Sequence, residues 1–353
     1  AAMKLLIITP GATSTKIAVY DGDTEVFRRT IEHSTADLAS FEHVVDQFDY
    51  RRQLVVQALA EAGWQLSDFA AVCGRGGLLR HIPSGTYRIN DRVIADIQDP
   101  PYGEHASNLG ALLSKSLADE VGIPSFFVDP VSVDELTDVA RVSGFKGMER
   151  ESFFHALNQK GMARAAARQL GRRYEELNLI VVHMGGGVSV AAHQHGRVVD
   201  MFNVKDEGSF AMDRGGSLPV NAVINLCFSG KSKAEVKKLL GSQAGVFSYL
   251  GTRDFREVEQ RKLDGDHEAG LIFDALVYQH CKDIGAMAAV LRYDIDAIVL
   301  TGGMANSKLL CDEISGYVKK LAPILILPGE EEMRSLAEGA LRVLRGEAPA
   351  LEY

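Results

Sequence analysis

The chain has 353 residues, of which 46% are hydrophobic and 24% charged, with a formal net charge of −9 at pH 7. That length and balance describe a globular protein of two domains with a sizeable core. The acidic balance argues against a nucleic-acid surface, which needs clustered Lys and Arg, but leaves room for a small anion in a locally positive cleft.

Cys73, Cys227, Cys281 and Cys311 are widely separated and form no CxxC pair, which suits reduced thiols. No apolar run approaches the ~20 residues that span a bilayer, and no signal-peptide region opens the chain. Ala1-Ala2 ahead of Met3 reads as a cloning remnant. These features predict a cytoplasmic protein.

In chain order, Lys4–Thr9 is a short apolar run of strand length, Pro10-Gly11 turns, and Thr15–Tyr20 is a second strand. Asp21-Gly22-Asp23 is a hairpin signal leading to a strand over Glu25–Ile31, so the chain opens on an antiparallel meander. The pattern returns at Asn178–His183, Gly185-Gly186-Gly187, Val188–Ala192, His195-Gly196-Arg197 and Val198–Phe202. Displaced by 174 residues without a gap, Gly11 falls on Gly185 and Gly22 on Gly196, which predicts an internal duplication at half-molecule scale.

Helices are predicted over Tyr50–Ala62, His105–Glu120, His155–Arg173, His267–Leu291, Ser307–Leu321 and Glu331–Leu344. Buried strands are predicted over Phe69–Cys73, Ser125–Val128, Ala297–Leu300 and Ile324–Leu327. No low-complexity linker separates the halves, so the expectation is two α/β domains with a ligand cleft between them.

Glycine-rich turns carry the candidate chemistry. Gly11, Thr13 and Ser14, followed by Lys16, form a turn whose amides and hydroxyls can cradle phosphate; a solvated hairpin turn is the plain alternative. It is not a Walker A loop. Gly185, Gly186 and Gly187 after His183 allow a ligand close to the backbone, although a lone histidine after a strand is usually structural. Gly302 and Gly303 follow another strand and precede a helix, where α/β folds bind nucleotides, but GxGxxG is absent.

Arg75 and Arg214 are each flanked by glycines, as suits oxyanion clamps rather than solvated surface arginines. Asp129 lies just past an apolar strand, and Glu330-Glu331-Glu332 open the last helix, where helix-dipole compensation is the ordinary role. An Asp with one such Glu would suit Mg²⁺, which takes few protein carboxylates. His105 and Asn108 are three apart at a helix start, where a capping role is equally open.

Taken together, TPGATSTK, GRGGLL, GEHASNLGA, VDPVSVDE, FHALNQK, VHMGGGVS, LTGGMA and AEGALRVLRGE resemble the acetate and butyrate kinases, and the butyrate branch most of all. The resemblance spans nearly the whole chain. It implies two duplicated actin-like (ribonuclease H-like) domains, an N-terminal one over 1–150 and a nucleotide-binding one over 151–332, with the C-terminal helix 333–353 packing back on the first. It implies phosphate loops at Gly11–Ser14 and Gly185–Gly187, nucleotide contacts at Gly302 and Gly303, and catalytic roles for Arg75, Arg214, His105, His183 and Asp129. It puts a metal-associated glutamate at Glu331, with Glu330 or Glu332 one residue away.

The implied reaction is ATP plus a short-chain carboxylate giving ADP plus acyl phosphate, with Mg²⁺, in a homodimer or larger homo-oligomer. A kinase for acetate, propionate or branched-chain acids, a sugar kinase, and an actin- or chaperone-like ATPase are the alternatives. The chain departs from the family at Thr9, where Asn is usual, at Ala12, often Ser, and at Arg214–Ser217, where Arg-Ser-Gly is usual. Gly77, two residues past Arg75, is expected to leave room for an acyl tail longer than acetate, unless it serves backbone conformation alone.

Overall fold

The computed structural model describes residues 3–353; Ala1-Ala2 lies outside the described residues. The described residues divide into two compact units, one running to Asp134 and joined by Glu331–Tyr353, the other of Glu135–Glu330.

The first unit holds β1 (Lys4–Pro10), β2 (Ser14–Asp21), β3 (Thr24–Glu32), β4 (Ala71–Gly74), β5 (Thr86–Arg88) and β6 (Ser125–Val128), in the sheet order β3-β2-β1-β4-β6-β5. The meander β1-β2-β3 is antiparallel, and β1, β4 and β6 are parallel. Leu5–Pro10 of β1 are all buried, as befits a central strand covered on both faces. Edge strand β3 has no fully buried residue and carries Glu25, Arg28, Arg29 and Glu32, which discourage pairing with another chain.

The second unit holds β7 (Asn178–Met184), β8 (Val188–Gln194), β9 (Arg197–Met201), β10 (Ala297–Gly302) and β11 (Ile324–Pro328), in the order β11-β10-β7-β8-β9. Its pairing directions repeat those of β6-β4-β1-β2-β3.

The repeat extends to fine detail, with one correction. Pro10 pairs with Thr15 across a four-residue turn, but Met184 pairs with Val188 across three residues. The second copy is therefore one residue shorter here. Gly11 still matches Gly185, but past the turn the displacement is 173, so Gly22 corresponds to His195 rather than Gly196. On that shorter register the irregularity between Val19 and Tyr20 falls on the one between Ala192 and His193. A bulge kept at one place in both copies is a designed bend.

Helix Asn108–Val121 packs on β1, β4 and β6 and ends at Gly122, whose φ of 69° suits a left-handed cap. Helix Glu332–Leu344 packs on β1, β4, β5 and β6. Thr86 Oγ1 donates to Gly339 O at 2.9 Å, and Leu351 N donates to Thr86 O at 2.8 Å. In the second unit Ile180, Val182 and Leu300 pack with helix His267–Val290. Leu179, Val181 and Val299 pack with Ala163 and Ala166 of helix Ala156–Leu170.

The division at Asp134/Glu135 falls ahead of the expected 150/151. Residues 135–150 are tied to the second unit by polar bonds: Glu135 meets Lys160 at 2.6 Å, and Arg150 bonds Asp200, Met201 and Glu207. Strand β5 and the helices Asp91–Gln98, Val220–Cys227, Lys233–Ser242, Gly245–Leu250 and Phe255–Leu263 were not foreseen in the sequence.

Candidate functional site

Parallel strands align their carboxyl ends, and α/β sheets present ligand-binding loops there. In the first unit, the turn at Gly11, the loop at Arg75 and Asp129 follow the ends of adjacent strands β1, β4 and β6. In the second unit, Gly185, Gly302-Gly303 and Gly329-Glu330 follow the ends of adjacent strands β7, β10 and β11.

The first turn is closed by Gly11 N donating to Ser14 O at 2.7 Å. Each of its four carbonyls has a protein donor. Arg51 Nη1 donates to Gly11 O at 2.8 Å and Ser14 O at 3.0 Å, Arg51 Nη2 to Ala12 O at 3.3 Å, and His33 N to Thr13 O at 2.8 Å. Ala12 and Thr13 at the tip are exposed. Thr9, just before the turn, is buried, and its hydroxyl meets only the Met333 sulfur, at 4.0 Å, among the described residues.

Arg75 leaves β4 where backbone presses on backbone: a Cβ on Gly74 would stand 2.7 Å from Gly110 O, and one on Gly110 would stand 2.7 Å from Arg75 O. Its Nε pairs with Glu332 Oε1 at 3.1 Å. Gly77 has φ +84°, and a Cβ there would lie 2.4 Å from Asn108 Oδ1 and 2.7 Å from Asn108 Cα. The missing side chain thus makes room for Asn108, whose Oδ1 accepts from Leu78 N at 2.8 Å, and not for a substrate tail. His105 is not on the helix, which begins at Asn108; it lies in the preceding loop, with Nδ1 accepting from Ser107 N at 3.1 Å. That bond leaves the ring proton of neutral His105 on Nε2.

Asp129 is buried with φ +41°, an unusual backbone for a non-glycine residue. Its Oδ1 accepts from Ser84 Oγ at 2.6 Å and Gly85 N at 2.9 Å. The three glutamates diverge. Glu332 takes Arg75, Glu331 lies 3.9 Å from Arg334 and is half-exposed, and Glu330 belongs to the second unit. Among the described residues, no group of three or more His, Cys, Asp or Glu could hold a metal by itself.

In the second unit, His183 has the strand parity of Leu179 and Val181, so it faces helix Ala156–Leu170. There Asn158 Nδ2 meets His183 Nδ1 at 2.6 Å, and the His155 ring lies 4.3 Å away between centroids. Burial lowers the His183 pKa to about 4, so the ring is neutral at pH 7. With Nδ1 accepting from the amide, the proton sits on Nε2, 3.4 Å from Glu330 Oε1. The glycine turn is closed by Gly185 N donating to Gly187 O at 2.9 Å. A Cβ on Gly187 would lie 3.3 Å from Arg214 Nη1 and 3.4 Å from His155 Nε2. The structure therefore brings Arg214, His155, His183 and Glu330 to one turn.

Gly302 has φ +88°, and a Cβ there would lie 2.2 Å from Met184 O, so only glycine lets β10 end beside the turn. Gly302 N donates to Gly329 O at 3.1 Å, which anchors the segment that delivers Glu330. Gly303 is open, with nothing near its Cβ direction.

The comparisons with known proteins fit this layout. The chain is 47% identical over 352 residues to "Butyrate kinase 1" of Clostridium acetobutylicum, covering 99% of both sequences. The profile of the Acetokinase family matches residues 146–323. The chain belongs to the acetate/butyrate kinase family. The solved acetate kinase of Porphyromonas gingivalis superposes with a TM-score of 0.80 at 18% identity, over 97% of this chain and 100% of that one. A propionate kinase from Francisella tularensis superposes with a TM-score of 0.73, also at 18% identity, over 95% and 98%. These likenesses show the two-sheet, actin-like fold.

The sequence of this acetokinase chain did not single out Arg51, His155 or Asn158 as site-building residues, and it offered Glu330 only as a metal-side alternative to Glu331. His155 and Asn158 had a legible signal: a histidine and an amide three apart at a helix start, facing one way. Arg51 had none, because nothing local tells a buried arginine from an exposed one.

Proposed function

We propose that this chain transfers the γ-phosphoryl group of ATP reversibly to the carboxylate of a short-chain fatty acid, butyrate first, giving butyryl phosphate and ADP. The observation that carries the reading is the donor set at Gly185–Gly187: an arginine and a histidine that is neutral and presents Nε2–H. Arg214 and His183 as placed stabilise negative oxygens and abstract no proton, and the one carboxylate beside the turn, Glu330, faces His183 Nε2. A carboxylate nucleophile, with a solution pKa of ~4–5 like Asp and Glu, is already ionised and needs no base. A sugar hydroxyl would need one.

In this reading Arg75 holds the substrate carboxylate or the transferring group, while Arg214 and His183 Nε2–H stabilise the equatorial oxygens. His105 is a further donor. The Gly11–Ser14 and Gly185–Gly187 turns receive phosphates, and Gly302 and Gly303 receive the nucleotide. The carboxylates fit Mg²⁺, which takes one or two protein oxygens and keeps waters and phosphate oxygens. Asp129 and Glu331 would hold it, and it would neutralise charge on the ATP phosphates. The enzyme would work in the cytoplasm as a dimer or larger homo-oligomer, which light scattering checks.

The test is hydroxylamine trapping of acyl phosphate with ATP, Mg²⁺ and a panel of acids and sugars. Hydroxamate formation should peak at butyrate or an acid of similar size. A preference for acetate would overturn the butyrate assignment alone. ATP hydrolysis without acyl phosphate, or a phosphorylated sugar, would overturn the carboxylate reading.

A further inference from the structure

Arg51 lies in helix Phe48–Glu61, has no exposed surface, and is among the largest fully buried side chains of the described residues. Its guanidinium makes six hydrogen bonds: to Gly11 O, Ala12 O, Ser14 O, Thr15 Oγ1 and, twice, Gln47 Oε1. None of these partners is a carboxylate. A guanidinium keeps its proton at any physiological pH, so a permanent positive charge lies under the Gly11–Ser14 turn with only dipoles around it. Burying a charge without a counter-charge is costly. A bound anion would supply the counter-charge.

The orientation of the turn is consistent with that. Three of its four carbonyls point at Arg51 and the fourth accepts from His33 N, so its peptide dipoles turn their negative ends inward and their positive ends towards the exposed tip at Ala12-Thr13. We propose that Arg51 is the positioning and charge-supplying residue of this turn, and that a phosphate group bound across the turn is its missing counter-ion. Arg51 never touches that phosphate. It acts through the three carbonyls it fixes and through its field, which a low-dielectric setting transmits with little screening. The inference rests on the proposal that the turn receives phosphate.

The experiment titrates inorganic phosphate and, separately, MgATP into the full-length protein by calorimetry. In Arg51→Gln the affinity for at least one of the two should fall tenfold or more. In Gln47→Ala, which removes a brace of Arg51 but keeps its charge, both affinities should stay within threefold of wild type. Equal losses in the two variants would make Arg51 a brace only and overturn the inference. If Arg51→Gln does not fold, Arg51→Lys carries the test: affinities within threefold of wild type support a charge role, and a tenfold loss overturns it. The double variant Thr13→Ala/Ser14→Ala separates the two readings. If it weakens phosphate while Arg51→Gln does not, the Arg51 inference alone fails. If neither change affects either ligand, the phosphate reading of the turn fails with it.

Discussion

Arg75 Nε lies 3.1 Å from Glu332 Oε1 in an ion pair without an aligned N–H···O bond, and the two Nη groups form the edge that can grip a carboxylate side-on. Glu332 thus orients the arginine without occupying its fork. Both side chains are about one-third exposed, at 32% and 30%, so the pair is worth at most about 1 kcal/mol. Glu332→Ala should raise the KM for butyrate by up to about fivefold and leave the KM for ATP unchanged. An unchanged or lower KM for the acid would show that Glu332 competes for Arg75.

Arg214 Nη1 stands 3.3 Å from where Gly187 would carry a Cβ. As a transition-state donor its loss should cut kcat by ~10²–10³ in Arg214→Ala, with the KM for ATP little changed. Arg214→Lys should also be poor, because an ammonium cannot reproduce the planar fork. Near-normal turnover in a folded variant removes Arg214 from the mechanism.

The Thr9 hydroxyl is buried against the Met333 sulfur, a weak acceptor. Thr9 stands where the family usually has Asn, and its setting is buried. Thr9→Val should keep kcat/KM for ATP within about threefold. A tenfold loss would mean that the hydroxyl turns to the nucleotide during catalysis.

Gly77 does not set chain-length preference through an empty side-chain position, since its Cβ direction is filled by Asn108. Gly77→Ala should cost roughly 1–3 kcal/mol, from a left-handed backbone and a clash with the main chain. Activity on acetate, propionate, butyrate and valerate should fall by similar factors. A shift towards shorter acids would place the tail at Gly77 after all.

Stability should depend on pH with two opposing signs. Burial lowers His183 and His280 to about 4, so the unfolded chain binds more protons than the folded one between about pH 6.5 and 4. Their contribution is complete above that window and is lost as pH falls through it, on the order of 3 kcal/mol each. Burial raises Asp283, which accepts from Ser209 N at 2.7 Å, to about 7. The folded state then holds the extra proton, so this contribution is complete below about pH 4 and lost as pH rises to about 7. Calorimetric Tm between pH 4 and 7 should show a shallower acid loss for His280→Gln and a steeper one for Asp283→Asn. Equal slopes in all three proteins would show that neither group titrates with unfolding.

The sequence by itself determined every strand except the short β5, the glycine turns after them and the existence of the duplication, though not its register past the first turn, because strand length, apolar runs and turn residues are local properties. Lys4–Thr9 and Asn178–His183 are apolar runs bounded by glycine, and they became the central strands β1 and β7. Only the tertiary structure decided which side chains meet. Three consecutive glutamates took three different partners because the chain passes from Gly329, bonded to Gly302, straight into the last helix. The same holds for Gly77 against Asn108 and for Arg51 under Gly11, pairs far apart in the chain that pack across it. Local pattern sets an element's type and its faces. Which distant residue lies against each face depends on how helices cross the sheets, and no short stretch of sequence encodes that.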